Sequence, residues 1–278
     1  MAYVNPLKRL LNEKRIVIGT GYYTREPALC EMLAGIYDFI WVDWEHTWLD
    51  RRDIVDALIA CRAGGAPAIV RVPWNDPVLA KPILEMGPDG IIFPQIHDVE
   101  EAKLAIASCT YPPEGIRGWG PGRAVGYGDL PALKYIEETP ERIFKILQVE
   151  NLECIEHLDE ILELKGMDCL CVGPMDLSAS VGKLARTRDD EVLAAYDKVG
   201  EIAARHDVPL MLSYGFNPRE IKEWMDRGAR LIHVNGDVGF VHNAARYEYE
   251  ELRRLAEGSG APALYGGVEG VSTVLEER

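Results

Sequence analysis

Eight short apolar runs, rich in β-branched residues and separated by longer amphipathic stretches, constrain the fold of this chain more than any other feature. They are "RIVIGTG" (15–21), "DFIWVD" (38–43), "PAIVRVP" (67–73), "DGIIFP" (89–94), "IFKILQVE" (143–150), "MDCLCVG" (167–173), "VPLMLSY" (208–214) and "ARLIHVN" (229–235). They run continuously apolar instead of alternating, the pattern of strands covered on both faces. The stretches between them carry helix signals. Residues 75–87 open on an Asn/Asp cap with a proline in the first turn and close on Gly87. Residues 151–166 space Leu152, Ile155, Leu158, Ile161 and Leu162 along one helical face, and 217–228 repeat the plan. Eight strands joined by helices predict a (β/α)8 TIM barrel. A doubly wound open sheet is the alternative, but it rarely needs eight parallel strands. The 278 residues suit one barrel domain, 1–278. Its core is expected at about 15–240. A C-terminal helix and tail at 241–278 follow, with a helix near 246–256 able to pack on the barrel or on a neighbouring subunit.

Composition narrows the function. The net charge of −15 repels phosphate backbones and argues against nucleic acid as a partner. No stretch approaches the roughly 20 apolar residues of a membrane span. The N-terminal "MAYVNPLKRLLNEKR" is charged throughout, unlike a secretory signal. Six scattered cysteines (30, 61, 109, 154, 169 and 171) lack C-x-x-C spacing and read as buried free thiols in a reducing, cytoplasmic compartment.

Barrel chemistry sits at the C-terminal ends of the strands. The second run ends in Asp43, Glu45 and His46; the third carries Arg71; the fifth ends in Gln148 and Glu150; the sixth turns at Gly173-Pro174 and presents Asp176. Alone, Glu150 could be an acid favoured by a helix dipole and Asp176 a helix cap. Two carboxylates on adjacent strands at one rim are better explained by a hard divalent cation that leaves positions for substrate oxygens. No cysteine is offered there, which argues against zinc. His46 is a general-base candidate, histidine being the residue type suited to that task, or else a satisfied rim histidine. Arg71, inside an apolar strand, needs its charge answered: by Asp43 or Glu45 as a structural bridge, or by a substrate carboxylate or enolate. Trp48 and Trp119 are placed in rim loops. The Gly- and Pro-rich segment 111–130 reads as an ordered loop of functional length. No phosphate-cradling loop or G-x-S-x-G is present. Of the lysines, only Lys145 lies inside a strand, near its start, which disfavours Schiff-base chemistry.

Five blocks in register, "WVDWEHTWLD", "VRVPWNDPVLAKPILEMGPDGIIFPQIHDVEEA", "YPPEGIRGWGPGRA", "LQVENLECIEHLDEI" and "CVGPMDLSASVG", resemble the HpcH/HpaI-type class II aldolases of the citrate lyase β-subunit and phosphoenolpyruvate/pyruvate barrel superfamily. The resemblance runs from about residue 15 to 235. It implies a barrel enzyme dependent on Mg²⁺, Mn²⁺ or Co²⁺. That enzyme reversibly cleaves a 4-hydroxy-2-oxo acid to pyruvate, or a related 2-oxo acid, and an aldehyde through a metal-bound enolate. It further implies Glu150 and Asp176 as metal ligands, His46 as the base and Arg71 as the group that steadies the enolate. Gln148, Pro174, Met175 and Asp176 would bind substrate, and the assembly would be a homohexamer.

Three positions depart from the family pattern. Glu85, in "LEMG", stands where an aspartate commonly supports the histidine. Thr47-Trp48 adds bulk after the Glu-His pair, and "LSYGFN" (212–217) carries no known preference. Two other readings remain: a lyase for citryl- or malyl-CoA-type thioesters, which would need a site for the CoA phosphates, and a non-catalytic barrel that binds a metal or a 2-oxo acid.

Overall fold

In the computed structural model, which describes residues 3–13 and 16–258, all eight runs are strands. They are β1 (Val17–Tyr22), β2 (Phe39–Asp43), β3 (Ala68–Arg71), β4 (Gly90–Phe93), β5 (Phe144–Val149), β6 (Cys169–Val172), β7 (Leu210–Tyr214) and β8 (Ala229–Gly236). Each pairs in parallel with its sequence neighbours, and β8 closes on β1. The chain is a (β/α)8 barrel.

Two apolar compartments hold it together. Inside the barrel, Val17, Phe39, Trp41, Ile69, Ile92, Phe144, Ile146, Cys169, Cys171, Met211 and Leu231 pack against one another. Outside, the opposite faces of the strands meet the helices in a continuous sleeve that includes Val42, Val70, Leu147, Val172 and Leu212. Strands buried on both sides explain the unbroken apolar runs. The six cysteines are buried and free.

A short helix, Pro6–Asn12, was not expected from the sequence. Asn5 caps it through Leu7 N, and the Asn5 side-chain amide also donates to Asp89 O and Arg142 O. Those anchors set the helix across the N-terminal end of the barrel, where buried Leu7 and Leu11 join the interior cluster.

Three segments differ from expectation. The helix predicted over 151–166 is two short ones, Leu152–Glu156 and Leu158–Leu162, interrupted at His157. The apolar period runs through the interruption, so the pattern hides it. The C-terminal helix is Asp237–Ala256 and starts directly after β8 instead of near 246; residues 259–278 of the predicted tail lie outside the described residues. The segment 111–130, with a 3-10 stretch at Arg123–Gly128, does not line the catalytic rim. Arg123 donates to Met86 O and Leu58 O, and Gly118 and Gly120 lie against Lys81 and Glu85. Helix Pro77–Met86 runs from the end of β3 to the start of β4, so its last turn is at the N-terminal end of the barrel. Trp119 is therefore on that side, packed with Tyr111 and Tyr135.

Candidate active site

At the C-terminal ends of the strands, polar side chains from β2, β3, β5 and β6 meet. Asp43 and Arg71 are register partners across β2 and β3. Arg71 Nε donates to Asp43 Oδ1 at 2.9 Å and Nη2 to Oδ2 at 2.6 Å, a two-point fork. Arg71 Nη1 lies 2.9 Å from Glu45 Oε2 as an ion pair. The guanidinium also sits 5.0 Å over the Trp41 ring. Burial works against the charge of Arg71, and Asp43 and Glu45 more than offset it. The structural bridge considered for Arg71 is present. It occupies one edge of the fork and leaves N–H groups on Nη1 and Nη2 for a further oxygen.

Glu45 and His46 follow β2. Thr47 Oγ1 donates to Asp43 O at 2.5 Å, and Glu45 N donates to Asp43 Oδ1, so the loop folds back on the strand end. His46 projects outward, its side chain 64 % exposed, with Nε2 3.6 Å from Glu45 Oε2. Glu45 is pushed above the usual carboxylate range by burial, then pulled down by Arg71 and His46, with Asp43 and Asp176 raising it again. Trp48, in the same loop, is exposed.

Glu150 lies just past β5 and is buried. Its Oε1 accepts from Gln95 N at 2.5 Å, and its Oε2 accepts from Gln148 Nε2 at 2.7 Å. Gln95 presents its N–H from a left-handed backbone, φ +55°. Burial above all, with the negative charges of Glu45 and Asp176, pushes the Glu150 pKa up to about 7 against the pull of the Gln95 N–H. Asp176 stands in the first turn of helix Pro174–Ser180. Gly173 is the N-cap, and no side chain caps this helix, so Asp176 does not serve as a cap. Pro174 is buried and Met175 half-exposed beside it.

Gly173 shows why a core strand ends in a tight glycine turn. A Cβ there would lie 2.8 Å from Gln148 Nε2 and 2.9 Å from Glu150 Oε2. Only a glycine lets β6 pass this close to the carboxylate of β5.

Among the described residues, no group of three or more His, Cys, Asp or Glu side chains gathers as a metal cage. The donors nonetheless fit a hard cation that uses two carboxylates. Glu150 is held ionisable in a buried site crowded by two other acids, and the buried Gln148 Oε1 has no hydrogen-bond partner. A divalent cation relieves such a cluster of like charges.

Glu85 stands apart from this group. It is in the last turn of helix Pro77–Met86, under Gly120 and near Tyr111, at the opposite end of the barrel from His46. The two make no hydrogen bond or ion pair with each other among the described residues. Gln148, expected on substrate, has its amide nitrogen committed to Glu150.

The matching family model, described as HpcH/HpaI aldolase/citrate lyase, spans residues 24–244. The chain belongs to that family. The HpcH/HpaI chain is 32% identical over 249 residues to a 5-keto-4-deoxy-D-glucarate aldolase of Enterobacter sp. (strain 638), covering 88% of this chain and 95% of that one. Among solved structures it is similar to an HpcH/HpaI aldolase from Desulfitobacterium hafniense DCB-2, with a TM-score of 0.83 at 25% identity, covering 89% and 96% of the two chains. It is equally similar to an HpcH/HpaI aldolase/citrate lyase family protein from Burkholderia cenocepacia J2315, with a TM-score of 0.83 at 30% identity, covering 90% and 100%. As an HpcH/HpaI member the chain is a carbon–carbon lyase of the aldolase type.

Proposed function

We propose that this HpcH/HpaI enzyme reversibly cleaves a 4-hydroxy-2-oxo acid into pyruvate, or a related 2-oxo acid, and an aldehyde. The observation that carries this reading is the meeting, at one rim, of a carboxylate pair and a charge-anchored arginine. Glu150 and Asp176 would hold a Mg²⁺, Mn²⁺ or Co²⁺ ion, with the free Gln148 Oε1 directed at its surroundings. When bound, the ion polarises a carbonyl and lowers the cost of charge on its oxygen.

The chain's own residues account for the rest. Arg71, fixed by Asp43 and Glu45, directs its remaining N–H groups at the keto oxygen where negative charge develops. Because the fork is already anchored, little reorganisation is needed as that charge grows. His46, projecting beside Glu45, takes the proton of the 4-hydroxyl while the C3–C4 bond breaks and the aldehyde leaves. The electron pair of that bond passes to C3, and protonation there gives the methyl group of pyruvate. Pro174 and Met175 border the substrate on the β6 side. Glu85 has no part in proton transfer within the chain.

The name of the relatives supplies a first substrate to test, 5-keto-4-deoxy-D-glucarate. The reading is checked by proton NMR of pyruvate in D₂O with metal-loaded protein, then with excess EDTA. Metal-dependent loss of the methyl signal is expected. Its absence with all three metals and with related 2-oxo acids refutes the assignment, and CoA thioesters become the next substrates to try.

We also propose a cytoplasmic homo-oligomer, a hexamer by family pattern. Buried unpaired thiols suit a reducing compartment. Helix Asp237–Ala256 leaves Tyr249, Leu252 and Leu255 exposed, which suits packing between copies. Light scattering tests the assembly. No helix among the described residues is long and apolar enough to cross a membrane.

A further inference from the structure

One part of the rim, at the ends of β1 and β8, is built from residues that this reaction does not use. Between β1 and β8 the register shifts: Gly19 pairs with His233, but Gly21 pairs with Gly236. The extra residue on β8 makes a bulge, and Asn235 there takes a left-handed φ of +54°. Tyr23 lies across the two strand ends. A Cβ on either Gly21 or Gly236 would come within 2.2 Å of its ring or hydroxyl. Buried Asp237 clamps the segment, accepting from Tyr23 N at 3.1 Å, Thr24 N at 3.0 Å and Thr24 Oγ1 at 2.7 Å.

The phenol is thereby carried over the barrel interior. Its hydroxyl lies 3.3 Å from both His233 Nε2 and Asn235 O, and His233 Nδ1 lies 3.0 Å from Ser213 Oγ. The His233 ring packs on Trp41 at 4.7 Å, and Trp41 also lies under Arg71. Burial, then the charge of Arg71, pushes the His233 pKa down to about 3, so the ring is neutral, with one nitrogen donating and one accepting. Burial and the charge of Asp43 raise the Tyr23 pKa, which keeps the phenol protonated.

Position suggests what this hydroxyl meets. In the closed order of eight strands, β1 stands opposite β5, which carries Glu150. His46 follows β2, the next strand round from β1. A substrate held at Glu150 and Asp176 and extending past His46 therefore points its far end at Tyr23.

We propose that Tyr23 is a specificity-determining residue and His233 its positioning residue: the phenol hydroxyl hydrogen-bonds a hydroxyl on the aldehyde half of the substrate. The enzyme then favours hydroxylated aldehydes over alkyl aldehydes of equal length. This rests on the aldolase reading above.

The test measures kcat/KM for condensation of pyruvate with glyceraldehyde and with propanal, using metal-loaded full-length protein. Tyr23→Phe keeps the ring and removes the hydroxyl. It is expected to lower the glyceraldehyde-to-propanal ratio about tenfold, mainly through KM for glyceraldehyde, the size of one neutral hydrogen bond. His233→Phe keeps a ring against Trp41 and removes both nitrogens. It is expected to lower the same ratio, and the double variant to fall no further than Tyr23→Phe, because His233 acts through Tyr23. An unchanged ratio in Tyr23→Phe, or full additivity in the double variant, overturns the proposal. Wild-type protein that neither exchanges pyruvate protons nor condenses either aldehyde refutes the aldolase reading itself.

Discussion

Gly173→Ala perturbs the site by a single methyl group. The backbone at 173 has φ −98° and ψ 91°, a region alanine adopts freely, so the change introduces no strain in the main chain. The added carbon would sit 2.8 Å from Gln148 Nε2, 2.9 Å from Glu150 Oε2 and 3.0 Å from Glu150 Cβ. Non-bonded carbon contacts settle near 3.5 Å, so the Glu150 carboxylate must retreat by about 0.5 Å. Metal–ligand distances tolerate only about 0.2 Å. A displacement of this size should weaken metal binding and activity roughly ten- to a hundredfold. Mn²⁺ titration followed by electron paramagnetic resonance measures the affinity directly, and a melting curve run in parallel shows that the fold persists. Wild-type Mn²⁺ affinity in a folded Gly173→Ala protein would refute the argument, since Glu150 would then either not bind the ion or have room that the structure denies it.

Three further outcomes are expected. Glu150→Gln should weaken Mn²⁺ binding about a hundredfold or more in a protein that a melting curve shows to be folded, because it keeps the size of the side chain and removes the ligand charge; wild-type Mn²⁺ affinity in the folded variant would contradict a ligand role. Arg71→Lys keeps a positive charge but loses the fork on Asp43, so kcat should drop on the order of a hundredfold with Mn²⁺ affinity kept, measured by steady-state kinetics and titration. His233 should make stability fall in acid. Its pKa is lowered to about 3 in the folded protein from 6.5 in the unfolded chain, so its contribution is complete above pH 6.5 and lost as pH falls toward 3. Between pH 7.5 and pH 5 that loss is about 2 kcal/mol. Denaturant unfolding of wild type and His233→Phe at both pH values should show the difference, and parallel pH dependence in the two proteins would exclude it.

The barrel was legible because parallel strands covered on both faces leave unbroken apolar runs, and all eight predicted runs coincide with strands. The acids at the rim were legible for the same reason, since Glu150 and Asp176 follow segments that are mostly apolar, with their other charges (Lys145, Asp168) near the strand starts. What escaped depended on neighbours in space. The fork between Asp43 and Arg71 needs the β2–β3 register, although both residues could be picked out as rim groups. Glu85 looked like a partner for His46 from sequence context, yet a helix between consecutive parallel strands must end at the far side of the barrel from where it begins. Tyr23 and His233 gave no signal: an aromatic after a strand and a histidine within one look like ordinary packing until the β8 bulge and the two glycines beneath the ring are known. The break at His157 was hidden because the apolar spacing continues through it.

The side chains that fill the barrel interior, with Leu7 and Leu11 of helix Pro6–Asn12 packed against them at the N-terminal end, leave the C-terminal rim as the working face of the molecule. An aldolase working at that rim takes in its reactants and releases both products on the same side, so traffic is last-in, first-out. The fragment nearest the lip must clear before the deeper one can follow. A molecule that lodges at the lip therefore halts cleavage and condensation alike.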